Sequence, residues 1–129
     1  MNDKKKPVIL YVEDDPDYRV AMRQLLEAHG YDMTEASSGE QGLRVFKETR
    51  PDLILLDLMM EEIDAGTNLL RALRAEGNTA PVYLISSVGD TMATLTNAGE
   101  LGFAGVFQKP MDNDRLLAVL DTRLKPQTT

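Results

Sequence analysis

An unbroken apolar segment, Leu53 to Leu56, runs directly into Asp57 and then continues with Leu58. A run of this kind is typical of a strand that is buried on both faces, as in a parallel sheet. A carboxylate buried without a partner is very costly, but at the carboxyl end of such a strand it can face the crevice in which open α/β sheets bind ligands. Asp57 is therefore either the end of a strand or the centre of a site.

Composition limits what kind of protein this can be. The chain has 129 residues, which is the size of one domain, and its hydrophobic fraction of 43% is enough for a packed core. It contains no cysteine, which excludes a disulfide framework and thiolate metal sites. The net charge of -7 argues against a nucleic-acid surface, and no apolar run approaches the ~20 residues of a membrane span. We expect a cytoplasmic protein that contacts neither nucleic acid nor membrane.

Strand and helix signals alternate along the chain. The first helix begins at Pro16 after a cap at Asp15, and its apolar stripe, which includes Tyr18, is expected to lie in the core. A fourth helix, Thr91 to Ala98, has three threonines and few large apolar residues, so we expect it to be short or mobile. The alternation predicts a parallel sheet with right-handed crossovers and helices on both faces. The predicted strands are Val8–Val12, Tyr31–Ala36, Leu53–Asp57, Val82–Ile85 and Phe103–Phe107.

Polar side chains follow four of these strands. Glu13 and Asp14 follow the first strand, Asp57 ends the third, Ser86 follows the fourth and Lys109 follows the fifth. In a parallel sheet these ends share one edge, so the side chains converge on one crevice. Neighbouring carboxylates repel by ~4 kcal/mol per pair at an effective dielectric constant near 20 and need a cation. Oxygen ligands without histidine or cysteine indicate Mg²⁺ or another hard divalent ion.

The same residue types predict phosphoryl chemistry. An ionised aspartate beside Mg²⁺ can attack phosphorus and form an aspartyl phosphate. The metal and Lys109 can neutralise the oxygens of the transferring group, and the hydroxyl of Ser86 can donate to one of them. The added charge gives Ser86 and Lys109 new partners and can shift the loops that carry them.

These residues, in this order, resemble the receiver domain of bacterial two-component response regulators. The resemblance covers Val8 to Leu124, with a basic tail at 1–7 and a second tail at 125–129. It implies a flavodoxin-like α/β fold of three layers, (βα)5, whose five-stranded parallel sheet has the order 2-1-3-4-5.

The resemblance also implies a role for each position. Asp57 is the phosphoacceptor, and Asp14 is the more direct metal ligand of the acidic pair. The bond between Lys109 and Pro110 is expected to be cis. The implied catalytic residues are Asp57, Ser86 and Lys109; the implied Mg²⁺ ligands are Glu13, Asp14, Asp57 and the carbonyl of Met59; the implied switch residues are Ser86, Ser87, Val106 and Pro110.

Two features depart from the family pattern. The loop after Asp57 has Glu61 where the family has proline and one inserted residue within Ala65 to Asn68, and Val106 stands where the family has an aromatic switch. We therefore predict a switch that works through the loop after Ser86 and the helix beyond it. The apolar side chain of Met59 cannot position an attacking water, which predicts slow self-dephosphorylation.

The leading hypothesis is a phosphorylation switch rather than an enzyme acting on other substrates. Its phosphodonor would be a sensor histidine kinase or a histidine phosphotransfer protein. Its output would be a downstream protein or a homodimer through the fourth helix, fifth strand and fifth helix. No output domain follows within these 129 residues, so the chain is a stand-alone receiver or a piece of a longer protein.

Two alternatives stay open. The first is a degenerate receiver that serves only as a binding or dimerisation module, against which the retained site residues argue. The second is a phosphatase with an aspartate nucleophile, which needs an acid two residues after the nucleophile, where this chain has Met59.

Overall fold

A computed structural model of the chain describes residues 6–57, 65–86, 99 and 102–124. The predicted positions of Met59 and Ser87, and the predicted helix from Thr91 to Ala98, lie outside these residues. No helix in the described ranges is long and apolar enough to cross a membrane. The strands are β1 (Val8–Val12), β2 (Asp32–Ala36), β3 (Leu53–Asp57), β4 (Val82–Ser86) and β5 (Gly105–Gln108), and the helices are α1 (Pro16–Ala28), α2 (Gly39–Thr49), α3 (Ala65–Ala75) and α4 (Asn113–Leu124).

The five strands form one parallel sheet in the order β2-β1-β3-β4-β5, which confirms the predicted flavodoxin-like topology. The register aligns the strand ends: Val12 pairs with Leu56, and Asp57 pairs with Ile85. Ser86 in turn pairs with Gln108, the residue before Lys109. The last residues of β1, β3, β4 and β5 therefore meet at the same edge of the sheet.

The core has two halves, one on each face of the sheet. Successive residues of a strand point to opposite faces, so Leu53 and Leu55 pack with α1 and α4, whereas Ile54 and Leu56 pack with α2 and α3. All five residues of β3 are at most 1% exposed. This burial explains the unbroken apolar run and leaves Asp57 as the only charged residue of that strand.

The prediction that Tyr18 belongs to the core is wrong. Met22 and Leu26 of the same stripe are buried, but Tyr18 is 44% exposed. It lies in the first turn of α1, next to the carboxyl end of β1, where the sheet has ended and offers no face for an aromatic ring to pack against. The ring lies instead against the Lys109 ammonium.

The fifth strand begins later than predicted, at Gly105 rather than at Phe103. Gly102 has a φ of 110°, a left-handed conformation that suits glycine, and the chain turns there before it enters the sheet. Phe103 is buried in the core ahead of the strand, and pairing with β4 starts where Tyr83 meets Gly105.

Candidate functional site

Three charged side chains meet at the carboxyl edge of the sheet. The Lys109 ammonium contacts Oδ2 of Asp57 and lies 3.0 Å from Oε1 of Glu13. The Asp57 and Glu13 side chains are 0% and 2% exposed, and that of Lys109 is 13% exposed. Two buried carboxylates thus share one largely buried cation, which offsets the cost of removing both from water. The structure brings these three predicted site residues together.

Glu13 is held by donors on both of its oxygens. Oε1 accepts from the Tyr11 hydroxyl at 3.1 Å as well as from Lys109, and Oε2 accepts from the Asp15 backbone N–H at 3.1 Å. Asp15 is also the N-cap of α1, because its Oδ1 accepts from the backbone N–H of Asp17. The start of α1 and the end of β1 are therefore joined through the Glu13 carboxylate.

Burial changes the acidity of the groups in this cluster. Burial is the largest effect on Glu13, with a contribution from the adjacent Asp57, and together they raise its pKa to about 7 despite the Lys109 hydrogen bond. For Lys109 burial lowers the pKa, but hydrogen bonds to Asp57 and Glu13 outweigh it and the net pKa is raised. Burial and the nearby Glu13 carboxylate also raise the pKa of Tyr11 far above its ordinary value, so its hydroxyl keeps its proton and donates.

Ser86 ends β4 beside this cluster. It is fully buried, and its Oγ is the one buried side-chain polar atom in the described ranges that has no hydrogen-bond partner. Burying a hydroxyl without a partner costs free energy, so such an atom in a native site needs an explanation. A ligand oxygen arriving at the carboxyl edge, next to Asp57, would provide the missing acceptor.

Two tyrosines that were not predicted from the sequence as site residues contribute to the site. Tyr11 supplies the hydroxyl that orients Glu13, and the ring of Tyr18 lies with its centroid 3.9 Å from the Lys109 ammonium. The only sequence signal for Tyr11 was a hydroxyl inside an otherwise aliphatic strand, two residues before Glu13. Tyr18 carried no such signal, since its spacing matched the apolar stripe of α1.

The other predicted site residues that the structure describes are not members of the buried charged cluster. Asp14 is exposed, next to the buried Glu13. Pro110 is exposed, and its peptide bond with Lys109 is cis, as the family resemblance implied. Val106 is partly buried and packs against the core on the α2 and α3 face. Met59 and Ser87 lie outside the described residues.

The donor chemistry of the site fits a hard divalent cation. Glu13 and Asp57 both present a carboxylate oxygen to the Lys109 ammonium, and Asp14, the exposed residue that follows Glu13, carries a third carboxylate. Within residues 6–57, 65–86 and 102–124, however, no three such side chains already stand in a metal-binding arrangement. Among the described residues, the Lys109 ammonium provides a positive charge that both Glu13 and Asp57 contact.

Comparison with known proteins gives a consistent result. The family model described as "Response regulator receiver domain" matches residues 9–121. The transcriptional regulatory protein CseB of Streptomyces avermitilis is 36% identical over 110 residues, which are 85% of this chain and 46% of that protein. The transcriptional regulatory protein PrrA of Mycobacterium leprae is 37% identical over 122 residues, 92% of this chain and 48% of that protein. The chain thus spans about half the length of these curated relatives.

Solved structures show the same fold. The signal receiver domain of a Vibrio parahaemolyticus protein superimposes with a TM-score of 0.83 at 23% sequence identity, covering 94% of this chain and 92% of that one. This likeness shows the shared fold, and the family model and the sequence relatives show the family. The chain belongs to the family of response-regulator receiver domains.

Proposed function

We propose that Asp57 accepts a phosphoryl group and that this modification switches the protein between two signalling states. The observation that carries the proposal is the cluster at the carboxyl edge, in which one ammonium joins two buried carboxylates beside an unpaired buried hydroxyl. A permanent structural ion pair would not need the unpaired Ser86 hydroxyl. A site that must receive three additional acceptor oxygens does need such a donor.

In this proposal Asp57 is the nucleophile. One of its carboxylate oxygens forms a bond to phosphorus while the bond between phosphorus and the donor's nitrogen breaks, and the donor's imidazole leaves. The buried position of Asp57 limits the access of water to the acyl phosphate that results. The Glu13 carboxyl group lies beside Asp57, where its oxygens can help to bind the positive groups that the reaction requires.

Lys109 and Ser86 have complementary roles. The Lys109 ammonium already contacts Asp57, so it can neutralise charge on the phosphoryl oxygens as they arrive without a large movement. Ser86 can donate its hydroxyl hydrogen to one of these oxygens. The phosphoryl oxygen thus becomes the hydrogen-bond acceptor that the Ser86 hydroxyl lacks before phosphorylation.

The proposed Mg²⁺ ligands are the carboxylates of Glu13, Asp14 and Asp57 and the carbonyl of Met59. A bound Mg²⁺ would supply charge neutralisation for the phosphoryl oxygens. The residues must hold the ion and bring Asp57 in line with phosphorus. The exposed Asp14 is available to a hydrated ion from solvent, whereas Glu13 is already oriented by Tyr11 and Asp15.

A direct test is phosphorylation by acetyl phosphate with Mg²⁺, read by intact mass. We expect the wild-type protein to gain the mass of one phosphoryl group and Asp57→Asn to gain none. Asp114→Asn is the matched control, because Asp114 is an exposed aspartate in the first turn of α4. Labelling of Asp57→Asn equal to that of the wild type would refute the assignment. Turnover of p-nitrophenyl phosphate would instead support the phosphatase alternative.

We further propose a cytoplasmic receiver unit spanning residues 8–124, phosphorylated by a sensor histidine kinase or a histidine phosphotransfer protein. The relatives are named as transcriptional regulators, and half of their length lies outside the match. The output partner of this chain would be a downstream protein or a second copy, bound through the predicted fourth helix, β5 and α4. Protein binding that depends on phosphorylated Asp57 would support this part of the proposal.

A further inference from the structure

The aromatic ring of Tyr18 lies against the Lys109 ammonium, which also contacts two carboxylates. The ammonium lies 3.9 Å from the ring centroid, 3.0 Å from Oε1 of Glu13 and in contact with Asp57. A cation within ~6 Å of the face of an aromatic ring is attracted by the ring's electron density. Three groups therefore fix the position of the ammonium, and only two of them are charged.

Tyr18 lies at the surface rather than in the core. The residue is 44% exposed, whereas Leu26 of the same helix is fully buried. Lys109 by contrast has a long flexible side chain that loses rotamer freedom when its ammonium is held in one place. A ring at the mouth of the site reduces the alternatives open to this side chain, in particular rotation of the ammonium outward into water.

We propose that Tyr18 is a positioning residue whose ring face holds the Lys109 ammonium against Glu13 and Asp57 and thereby accelerates phosphoryl transfer. The inference rests on the proposed phosphorylation of Asp57. Its effect comes from the ring and not from the phenolic hydroxyl, because the ammonium lies over the ring centroid. Phenylalanine at position 18 should therefore preserve the rate of phosphoryl transfer, whereas a large aliphatic residue should not.

The experiment compares Tyr18→Phe, Tyr18→Leu and the control Val20→Ala, which alters another exposed apolar side chain of α1. The measured quantity is the rate constant for labelling of Asp57 by acetyl phosphate and Mg²⁺. We expect Tyr18→Leu to lower it roughly three- to tenfold, the range expected for loss of a partly exposed cation–π contact. Tyr18→Phe and Val20→Ala should stay close to the wild-type rate.

A second readout follows the geometry itself. The ε-methylene protons of Lys109 should show an upfield ring-current shift by NMR in the wild type and in Tyr18→Phe, and this shift should be lost in Tyr18→Leu. In a Lys109→Met background, Tyr18→Leu should have no further effect on the rate, because the two substitutions remove the same interaction.

Each other outcome counts against the inference. A wild-type rate in Tyr18→Leu would overturn it, as would an equal loss in Tyr18→Phe, which would assign the effect to the hydroxyl. An undiminished effect of Tyr18→Leu in the Lys109→Met background would show that Tyr18 acts by another route. If the wild type takes no label on Asp57 at all, the proposed function fails and the inference falls with it, whereas labelling without dependence on the ring overturns the inference alone.

Discussion

At the scale of single residues, the site combines groups that favour folding with groups that oppose it. Glu13 and Asp57 are buried carboxylates whose desolvation is offset by Lys109 and, for Glu13, by the Tyr11 hydroxyl. Ser86 is a buried hydroxyl with no such compensation. Removing the polar atoms of a compensated residue should lower the free energy of unfolding, whereas removing the Ser86 hydroxyl should not.

Substituting Ser86→Ala should leave the free energy of unfolding unchanged or raise it by about 1 kcal/mol, because an unpaired buried hydroxyl is removed. Ser38→Ala is the contrasting control: Ser38 caps α2 by accepting from the backbone N–H of Gln41, so its loss should cost ~1 kcal/mol. Urea unfolding measures both. In the presence of beryllofluoride and Mg²⁺, Ser86→Ala should gain less stability than the wild type. A large destabilisation by Ser86→Ala without ligand would contradict the structure.

Removing the Tyr11 hydroxyl should weaken Mg²⁺ binding. Tyr11→Phe leaves Oε1 of Glu13 with Lys109 as its donor and releases the orientation of the carboxylate, and loss of a group that supports a metal ligand commonly lowers affinity by ~10-fold or more. Tyr31→Phe is the matched control, because the buried Tyr31 donates to Asp121, in α4 rather than at the site. Mg²⁺ titrations followed by NMR would show the difference. Equal affinities of the two variants would argue against a metal role for Glu13.

At the scale of secondary-structure elements, α1 is tied to the edge strand β2 by charge as well as by packing. Glu35 of β2 lies 3.1 Å from Arg19 and 2.9 Å from Arg23, both in α1. Arg19 also donates to the Glu13 backbone carbonyl at 2.6 Å. The helix that carries Tyr18 is thus fixed at its first turns to the two strands beside it.

This ion-pair network should make stability depend on pH through Glu35. The hydrogen bond from Arg23 is the largest cause, with Arg19 also contributing, and together they lower the pKa of Glu35 below its ordinary value of 4.5. A lowered pKa means that the folded state favours the carboxylate, so the stabilisation is present above pH 4.5 and is lost as the pH falls through the folded-state pKa.

Glu35→Gln should therefore destabilise the protein near neutral pH by at most about 1 kcal/mol, since the pair is partly exposed and screened by solvent. The difference from the wild type should shrink as the pH is lowered below 4.5. Urea unfolding across this pH range measures it, with Glu48→Gln, an exposed glutamate of α2, as the control. Wild-type and Glu35→Gln curves that stay parallel would exclude the network as the cause.

At the scale of the whole molecule, the question is how a change at Asp57 reaches a surface. The position that would carry a switch aromatic is Val106, a short side chain that packs against the core. The aromatic residue on the same strand is Phe107, which packs on the opposite face against Tyr83, with a ring-centroid distance of 5.3 Å. The rotation of an aromatic ring at position 106 cannot be the readout in this chain.

We therefore expect the signal to pass through the segment that follows Ser86. Addition of beryllofluoride and Mg²⁺ should shift amide resonances over Ser87 to Ala98, because a ligand oxygen gives Ser86 a partner and moves the chain attached to it. Asp57→Asn under the same conditions is the control and should show no such shifts. Unchanged resonances over this segment in the wild type would refute this route.

Much of the architecture follows from local sequence alone. The unbroken apolar runs predicted buried parallel strands, and the polar residues at their ends predicted which edge would carry the site. These properties depend on neighbouring residues in the chain, so a linear reading recovers them. The parallel pairing of the strands, with Asp57 and Ser86 at the same edge, confirms that part of the prediction, whereas the strand order was implied by the family resemblance.

Contacts between distant residues needed the tertiary structure. Lys109 and Glu13 are 96 positions apart, and no local pattern states that their side chains meet at 3.0 Å. The late start of β5 depends on how Phe103 packs, and the place of Tyr18 depends on where the sheet ends beneath α1. The sequence by itself determined that a carboxylate site lies at the carboxyl edge of a parallel sheet, because strand burial is a local pattern and the alternation of strands with helices implies parallel pairing. Only the tertiary structure showed that Tyr11 and Tyr18 contact its charged groups, because contacts of this kind depend on the distances between side chains.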